Sequence, residues 1–211
     1  MNKLALCRIV VLFIIISCNS KNSENNNNTV DEIVEIEKEE NPDNAETKGN
    51  EEFQVKLDAA FSQFLGKFEK VDLPYKIEPE ETLDFDNISL DEQAEYLSKA
   101  EDLNKEELKQ MEDYAKFFYI SNPVRTKKFN AVVYGRSEMG STYYLLCTFN
   151  NSGKLISSID FAMHQLIGAG PQAGQEFIMT GEIDKNLKVT TTSDGKISNY
   201  LINEEGKIVK R

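Results

Sequence analysis

Apolar residues recur at two different spacings along this chain, first every three or four positions and later every second position. Over residues 53–68 the first spacing predicts an amphipathic helix, because one face of an α-helix repeats every 3.6 residues. The apolar face of this helix comprises Phe53, Leu57, Ala60, Phe61, Phe64, Leu65 and Phe68. We interpret its aromatic rings as core packing against a sheet rather than as a cofactor or lipid pocket.

The next segment predicts an extended stretch followed by two helices. Residues 71–77 are expected to be extended because they contain a proline. Ser89–Glu92 has the sequence of a capping box and predicts a helix that runs to about Ala100. A further helix is expected from Asn104 until Asn122-Pro123 ends it. The apolar side of that helix comprises Leu108, Met111, Tyr114, Ala115 and Phe118.

Residues 127–211 change to a period of two, which is the spacing of β-strands. Both faces of the run Tyr143–Phe149 are largely apolar, which predicts a central strand covered on both sides. Three turns share a Gly-Lys-aliphatic form, at 152–155, 194–197 and 205–208. Because glycine suits tight hairpins and such short connections require antiparallel neighbours, these turns predict an antiparallel sheet.

The sequence therefore predicts the α+β class, with a curved antiparallel β-meander of six to seven strands in residues 127–211 and N-terminal amphipathic helices packed against it. We expect residues 53–211 to form a single domain. The hairpin repeats resemble those of uncharacterised secreted lipoproteins of the Bacteroidota. This resemblance covers about the last 85 residues and implies no activity.

The N-terminus has the pattern of an export signal. Lys3 and Arg8 give it a positive start, and Ile9–Ile16 is an unbroken apolar run. Because that run is shorter than the ~20 residues of a membrane-spanning helix, residues 1–17 are expected to be a removable signal peptide.

Residues 15–18, Ile-Ile-Ser-Cys, resemble the lipobox of bacterial lipoproteins. The resemblance implies cleavage between Ser17 and Cys18 and a diacylglycerol group on the Cys18 thiol. A plain signal peptide and a signal-anchor helix are the alternatives. Asn19 stands where an aspartate would retain enterobacterial lipoproteins in the inner membrane, so it favours the outer membrane. Whether the protein faces the periplasm or the cell surface stays open.

The lipidated Cys18 and the segment that follows it, residues 18–52, are expected to form a disordered tether. Residues 19–52 carry eleven acidic and three basic side chains, a net charge of −8, and no aromatic residue. Such a chain buries too little apolar surface to offset its ordering entropy. As a flexible coil it spans roughly 30–35 Å. An acidic interaction tail is the competing interpretation.

The amino-acid composition argues against several classes of ligand and cofactor. The chain has 24 basic and 36 acidic residues, a net charge of −12, which argues against nucleic acid because a polyanion binder needs clustered cations. One His and three Cys argue against most zinc, haem, iron–sulfur and catalytic-triad sites, so we predict no metal and no cofactor. A calcium loop starting at Asp84 fails because Ile88 stands at its fifth position. The acids Asp84, Asp86, Asp91 and Glu92 are expected to be solvated or to cap helices.

A glycine-rich stretch after residue 163 is the candidate binding loop. It lacks the Gly-Lys-Ser/Thr of a phosphate loop, so we interpret it as a hairpin loop. Loops on rigid sheets commonly carry recognition. The candidate residues are His164, Gln165, Gly168, Gly170, Pro171, Gln172 and Gly174. No catalytic residue is predicted, because His164 lacks an evident partner and Cys147 lies in an apolar run typical of an inert, buried thiol.

The leading functional hypothesis is a lipid-anchored, non-enzymatic binding or interaction module of the cell envelope, with the membrane and an envelope protein as its partners. The alternative is an inhibitor or immunity-type protein that blocks a cationic enzyme. Residues 53–211 favour it, since 19 basic and 25 acidic side chains leave a net charge of −6. A carboxylate-dependent hydrolase ranks below both, because the 25 acidic residues of 53–211 offer too many possible pairs to identify a catalytic one.

Overall fold

The computed structural model describes residues 57–211. The predicted signal peptide, the lipidation site Cys18 and the tether lie outside these residues, as does Phe53 of the first predicted helix. Within the described range, no helix combines the length and the apolar character needed to cross a bilayer.

Short helices precede most of the sheet: α1 (Ala59–Leu65), α2 (Leu90–Glu92), a π-helical turn (Gln93–Leu97), α3 (Ser98–Glu101) and α4 (Lys105–Met111). Side chains cap three of them. Asp58 accepts hydrogen bonds from two backbone N–H groups of α1, and Ser89 accepts one from Glu92. Asn104 and Glu107 form a complete capping box on α4. These caps satisfy N–H groups that have no partner within such short helices.

The helices differ in part from the predicted ones. Residues 90–101 are helical where the sequence predicts a helix ending near Ala100. α1 is shorter than the predicted helix, and Ala60 of the predicted apolar face is exposed. Phe68 follows the end of α1, yet only 3% of its surface is exposed.

The helix predicted from Asn104 to Asn122 is wrong beyond Met111. Ala115–Arg125 is instead an 11-residue strand. Its residues alternate between two apolar faces, so Phe117 joins one core and Phe118 the other. A strand buried on both faces does not alternate between apolar and polar residues, so its sequence cannot be distinguished by period from that of a buried helix.

Ten strands form the sheet of the described range: β1 (Glu69–Lys70), β2 (Tyr75–Ile77), β3 (Ala115–Arg125), β4 (Phe129–Glu138), β5 (Ser141–Asn150), β6 (Leu155–Leu166), β7 (Glu176–Ile183), β8 (Lys188–Ser193), β9 (Lys196–Ile202) and β10 (Ile208–Lys210). Their order is β1-β3-β4-β5-β6-β7-β8-β9-β10, and β2 pairs with β7. β1 runs parallel to β3, whereas the pairs from β3 to β10 and the pair β2–β7 are antiparallel.

The antiparallel sheet with short helices is thus observed, but the sheet has more strands than the six to seven predicted. β4–β10 lie in the region where the sequence predicts strands. β3 comes from a stretch predicted as helix, and β1 and β2 are too short to show a period. The three predicted glycine turns all form hairpins, with positive φ angles at Gly153, Gly195 and Gly206.

Two apolar cores cover the two faces of β3, β4 and β5. On the first face, side chains of α1, the π-helical turn and α4 pack with strand residues, among them Phe61, Leu97, Leu108, Tyr134 and Cys147. The second face is covered by later strands, whose buried side chains include Phe161, Ile183, Val189 and Ile202. β5 contributes to both cores, which confirms the central strand predicted at Tyr143–Phe149.

The C-terminal hairpin returns over the second face. The hydroxyl of Thr148 on β5 donates a hydrogen bond to the carbonyl of Gly206, at 2.6 Å. Gly206 has φ +83°, and a Cβ there would lie 2.9 Å from both Ile156 and Phe129. The turn between β9 and β10 therefore requires glycine for its backbone conformation and for its close approach to the sheet.

Candidate functional site

The predicted binding loop connects β6 to β7. Gly168, Gly170, Pro171, Gln172 and Gly174 are all exposed. Backbone hydrogen bonds within 167–175 close the loop, including one of 2.8 Å from the N–H of Gly174 to the carbonyl of Ile167. The loop therefore presents its residues to solvent at the end of a long hairpin.

His164 lies at the base of this loop on β6. It pairs with Thr142 of β5 and with Ile178 of β7. Thr142 shares a face of β5 with Tyr144 and Leu146 of the second core, so His164 also lies on the second face of the sheet. Only 6% of its surface is exposed. Its Nε2 lies 3.4 Å from Oε2 of Glu176, the first residue of β7, while its Nδ1 is buried without a hydrogen-bond partner.

A segment between β2 and α2 brings a second carboxylate to His164. The backbone N–H of Glu80 donates to the hydroxyl of Tyr144, and the hydroxyl of Thr142 donates to the carbonyl of Glu80. These two bonds hold the segment across β5. Glu81 then lies beside His164 and Glu176, so that one potential ligand atom from each residue lies within 4.8 Å of the others.

One of the three residues in this cluster stands out in the sequence, and two do not. His164 is a predicted candidate, whereas Glu81 and Glu176 are not. Glu81 lies 83 positions before His164, and no local motif connects them. Gln165 pairs with Phe177 and points to the opposite face from His164, since side chains alternate along a strand. The structure therefore does not bring Gln165 into the cluster.

The segment that carries Glu81 is rich in acidic residues. Glu78, Glu80, Glu81, Asp84 and Asp86 lie within nine residues, and residues 77–98 contain no Lys, Arg or His. Among these side chains, Glu78 has a partner, because Lys76 donates a 2.6 Å hydrogen bond to it. The segment that carries Glu81 is thus strongly acidic, and Glu81 is the acid that it brings beside the buried imidazole.

Asp91 and Glu92, two of the acids near the rejected calcium loop, form ion pairs or hydrogen bonds within the protein. Asp91 forms an ion pair with Lys105, at 2.7 Å. Partial burial raises the pKa of Glu92, but hydrogen bonds from Lys67, Ser89 and Tyr119 outweigh it and lower the pKa to about 2. Glu92 is thus a charged group that links α2 to the segment after α1 and to β3, rather than a calcium ligand.

Cys147 is buried and lies away from His164. It points to the first face of β5, whereas His164 is on the second. None of its surface is exposed, and burial raises the pKa of its thiol far above the ordinary value. Because the thiolate is the nucleophile, this cysteine is chemically inert in the folded protein. The pair does not form a nucleophile and its base.

A separate cleft of about 310 Å³ lies beside α1. Its lining includes Lys70, Arg125 and the buried amides Asn122 and Asn130. Arg125 is already engaged, since one of its nitrogens donates to the carbonyls of Val71 and Asn122. This cleft contains no residue of the predicted binding loop.

Comparisons with protein-family models, with curated proteins and with solved structures find no match to this chain. From its geometry, the candidate site consists of the buried His164, the carboxylates of Glu81 and Glu176, and the exposed loop between β6 and β7. Imidazole and carboxylate groups at this spacing are chemically suited to hold a divalent metal ion.

Proposed function

We propose that the protein is a lipid-anchored component of the bacterial cell envelope, sorted to the outer membrane, whose folded domain is a non-enzymatic binding module. One observation carries the proposal: Ile15-Ile16-Ser17-Cys18 stands directly at the end of the apolar run Ile9–Ile16. A basic start, a short apolar run and a lipobox-like ending, in this order, are the features of a lipoprotein signal.

The anchor is held by the burial of its acyl chains in the bilayer. Each buried methylene contributes ~0.8 kcal/mol, so one acyl chain binds a membrane weakly and two or more hold it stably. The acidic residues of 19–52 are repelled by anionic headgroups, which keeps the domain away from the bilayer surface. In this proposal the thioether on Cys18 is the only strong attachment.

Features of the domain support binding rather than catalysis. The residues 168–174 stand exposed at the end of a hairpin whose strands belong to a ten-stranded sheet. Rigid strands that carry an exposed loop are a common arrangement for recognition. The thiol of Cys147 is buried in the core, where it is a poor nucleophile.

The anchor is tested by fractionating bacteria that express the complete chain with Cys18→Ser. We expect this variant to leave the membrane fraction after washing with high salt, while the wild-type protein stays. Cys7→Ser is the matched control, because Cys7 lies in the same predicted signal and is removed with it. If Cys18→Ser remains in the washed membranes as firmly as the control, the anchor proposal is wrong.

The binding role is tested by co-purification from detergent-solubilised membranes. We expect a partner to be recovered with the wild-type protein and lost when 168–174 is shortened to a two-residue turn. A variant altered at the exposed turn Asp194-Gly195 is the control. The inhibitor alternative instead predicts binding to a basic enzyme that weakens as salt is raised and does not depend on this loop.

A further inference from the structure

The imidazole of His164 lacks a normal hydrogen bond in the described part of the chain. Its side chain is 7% exposed, and Nδ1 is buried without a partner. Its Nε2 lies 3.4 Å from Oε2 of Glu176, which exceeds the roughly 2.7–3.2 Å of an N–H···O hydrogen bond. Nε2 therefore faces the carboxylate of Glu176 without a hydrogen bond of normal length, and its lone pair is available to bind an ion between the two groups.

The spacing of His164 and Glu176 fits two ligands of one metal ion. Zn–N and Zn–O bonds are both about 2.1 Å long, and at a tetrahedral angle two such ligand atoms lie about 3.4 Å apart. Nε2 and Oε2 are separated by 3.4 Å. An ion bound between them therefore needs no movement of β6 or β7.

Glu81 supplies a third ligand. Its carboxylate oxygen lies within 4.8 Å of the other two ligand atoms. Reaching the tetrahedral spacing of about 3.4 Å shortens each of these two distances by at most about 1.4 Å. The backbone beside it is fixed by the bonds of Glu80 to Tyr144 and Thr142, but the Glu81 side chain is exposed and free to rotate.

Charge and ligand type indicate which ion binds. Two carboxylates and a neutral imidazole balance the charge of a divalent cation. Calcium and magnesium prefer sites made only of oxygen, whereas imidazole nitrogen favours zinc and its neighbours among the transition metals. Three protein ligands leave a fourth position for water.

We propose that His164, Glu176 and Glu81 bind one Zn²⁺ ion. The ion joins the segment that crosses β5 to the strands β6 and β7, at the base of the exposed loop. The two carboxylates are exposed and His164 is buried, so the ion enters from the solvent side. This metal site does not depend on the lipid anchor or on the proposed binding role.

The test is a calorimetric titration of the full-length protein, purified in detergent and stripped of metal with a chelator, using Zn²⁺ alone. We expect saturation at one ion per chain. Glu176→Gln and Glu81→Gln each remove one charged ligand, and each is expected to weaken binding at least about tenfold. Both residues are exposed, so these variants are expected to fold, which circular dichroism checks.

Glu182→Gln is the matched control, because Glu182 is an exposed acid on β7 that lies outside the cluster. We expect it to bind Zn²⁺ like the wild-type protein. We also expect Zn²⁺ to raise the unfolding temperature of the wild type and not that of a Glu81→Gln/Glu176→Gln double variant.

Three results overturn the proposal. The first is the absence of saturable Zn²⁺ binding. The second is a Glu182→Gln variant that loses as much affinity as Glu176→Gln, which indicates diffuse attraction to an acidic surface. The third is Ca²⁺ binding as tight as Zn²⁺ binding, since a site with an imidazole ligand discriminates against calcium.

Discussion

Gly181→Ala tests the strand junction that supports the candidate site. Gly181 lies on β7, where β2 and β8 pair with it on either side. A Cβ at this position would stand 2.4 Å from the carbonyl oxygen of Phe161 and 2.7 Å from its ring. Because real Cβ contacts stay beyond 3.0 Å, the backbones of β6 and β7 must separate by at least 3.0 − 2.4 = 0.6 Å.

The magnitude follows from overpacking. Phe161 is fully buried, and its ring stacks on Tyr75 of β2, so neither strand moves without disturbing the second core. Overpacking a core costs about 1–3 kcal/mol, and contact with a backbone atom places this case at about 2–3 kcal/mol. For a protein of this size, that loss lowers the unfolding temperature by about 4–12 °C.

The assay is thermal unfolding followed by circular dichroism, with Gly168→Ala as the control. A Cβ at Gly168 meets no atom within 4 Å, and Gly168 has no positive φ. We expect the control to change the free energy of unfolding by less than about 0.5 kcal/mol. If Gly181→Ala lowers the unfolding temperature no more than Gly168→Ala does, β6 and β7 do not approach as described.

Three further predictions concern charged and buried groups. Glu92→Gln removes a carboxylate whose pKa is lowered from 4.5 to about 2, so the charged form stabilises the fold above the unfolded-state pKa. That shift corresponds to at most ~3 kcal/mol, which solvent exposure reduces to ~1–2 kcal/mol. Urea unfolding is expected to show this loss at pH 7 and little difference at pH 2, and an equal loss at both values contradicts the reasoning. Glu101→Ala leaves Arg136 without its buried carboxylate partner and removes a 2.6 Å hydrogen bond donated by Tyr134. We expect it to lower the free energy of unfolding by about 3 kcal/mol. Glu138→Ala, which removes the more exposed partner of Arg136, is expected to lower it by less than about 1 kcal/mol. Equal costs for the two variants refute the importance of the Glu101 pair. The thiol of Cys147 is expected to resist a maleimide in the folded protein and to react after unfolding in urea, and rapid labelling of the native protein shows that this thiol is accessible.

The C-terminal half of the fold follows from local chemistry. The turns at Gly153, Gly195 and Gly206 have positive φ, so a glycine at each position specifies both the turn and its antiparallel partners. β5 is likewise predictable from the sequence, because both of its faces are apolar and each packs in one of the two cores. These features depend on residues close in sequence, and for that reason the sequence alone is sufficient to predict them.

β3 shows where local patterns fail. Tyr114, Ala115 and Phe118 fit a helical spacing, while Ala115, Phe117 and Tyr119 lie on one face of the actual strand. Both descriptions satisfy the same apolar run, and β3 is a strand because β4 pairs along it. Tertiary pairing decides such a segment, and a single sequence does not reveal that pairing.

The candidate site was only partly predictable for the same reason. His164 and the loop after it stand out in the sequence, and the structure places His164 at the base of that loop. Counting one histidine led to the prediction of no metal site. Carboxylates complete the cluster, and Glu81 reaches it only because a segment far away in the sequence crosses β5.

The most direct test of the central claim is the intact mass of the protein taken from the membrane fraction. We predict a chain that begins at Cys18 and is heavier than its amino-acid sequence by a diacylglycerol group and an amide-linked acyl chain. A mass that corresponds to an unmodified Cys18, or to a chain that retains residues 1–17, contradicts the lipid anchor.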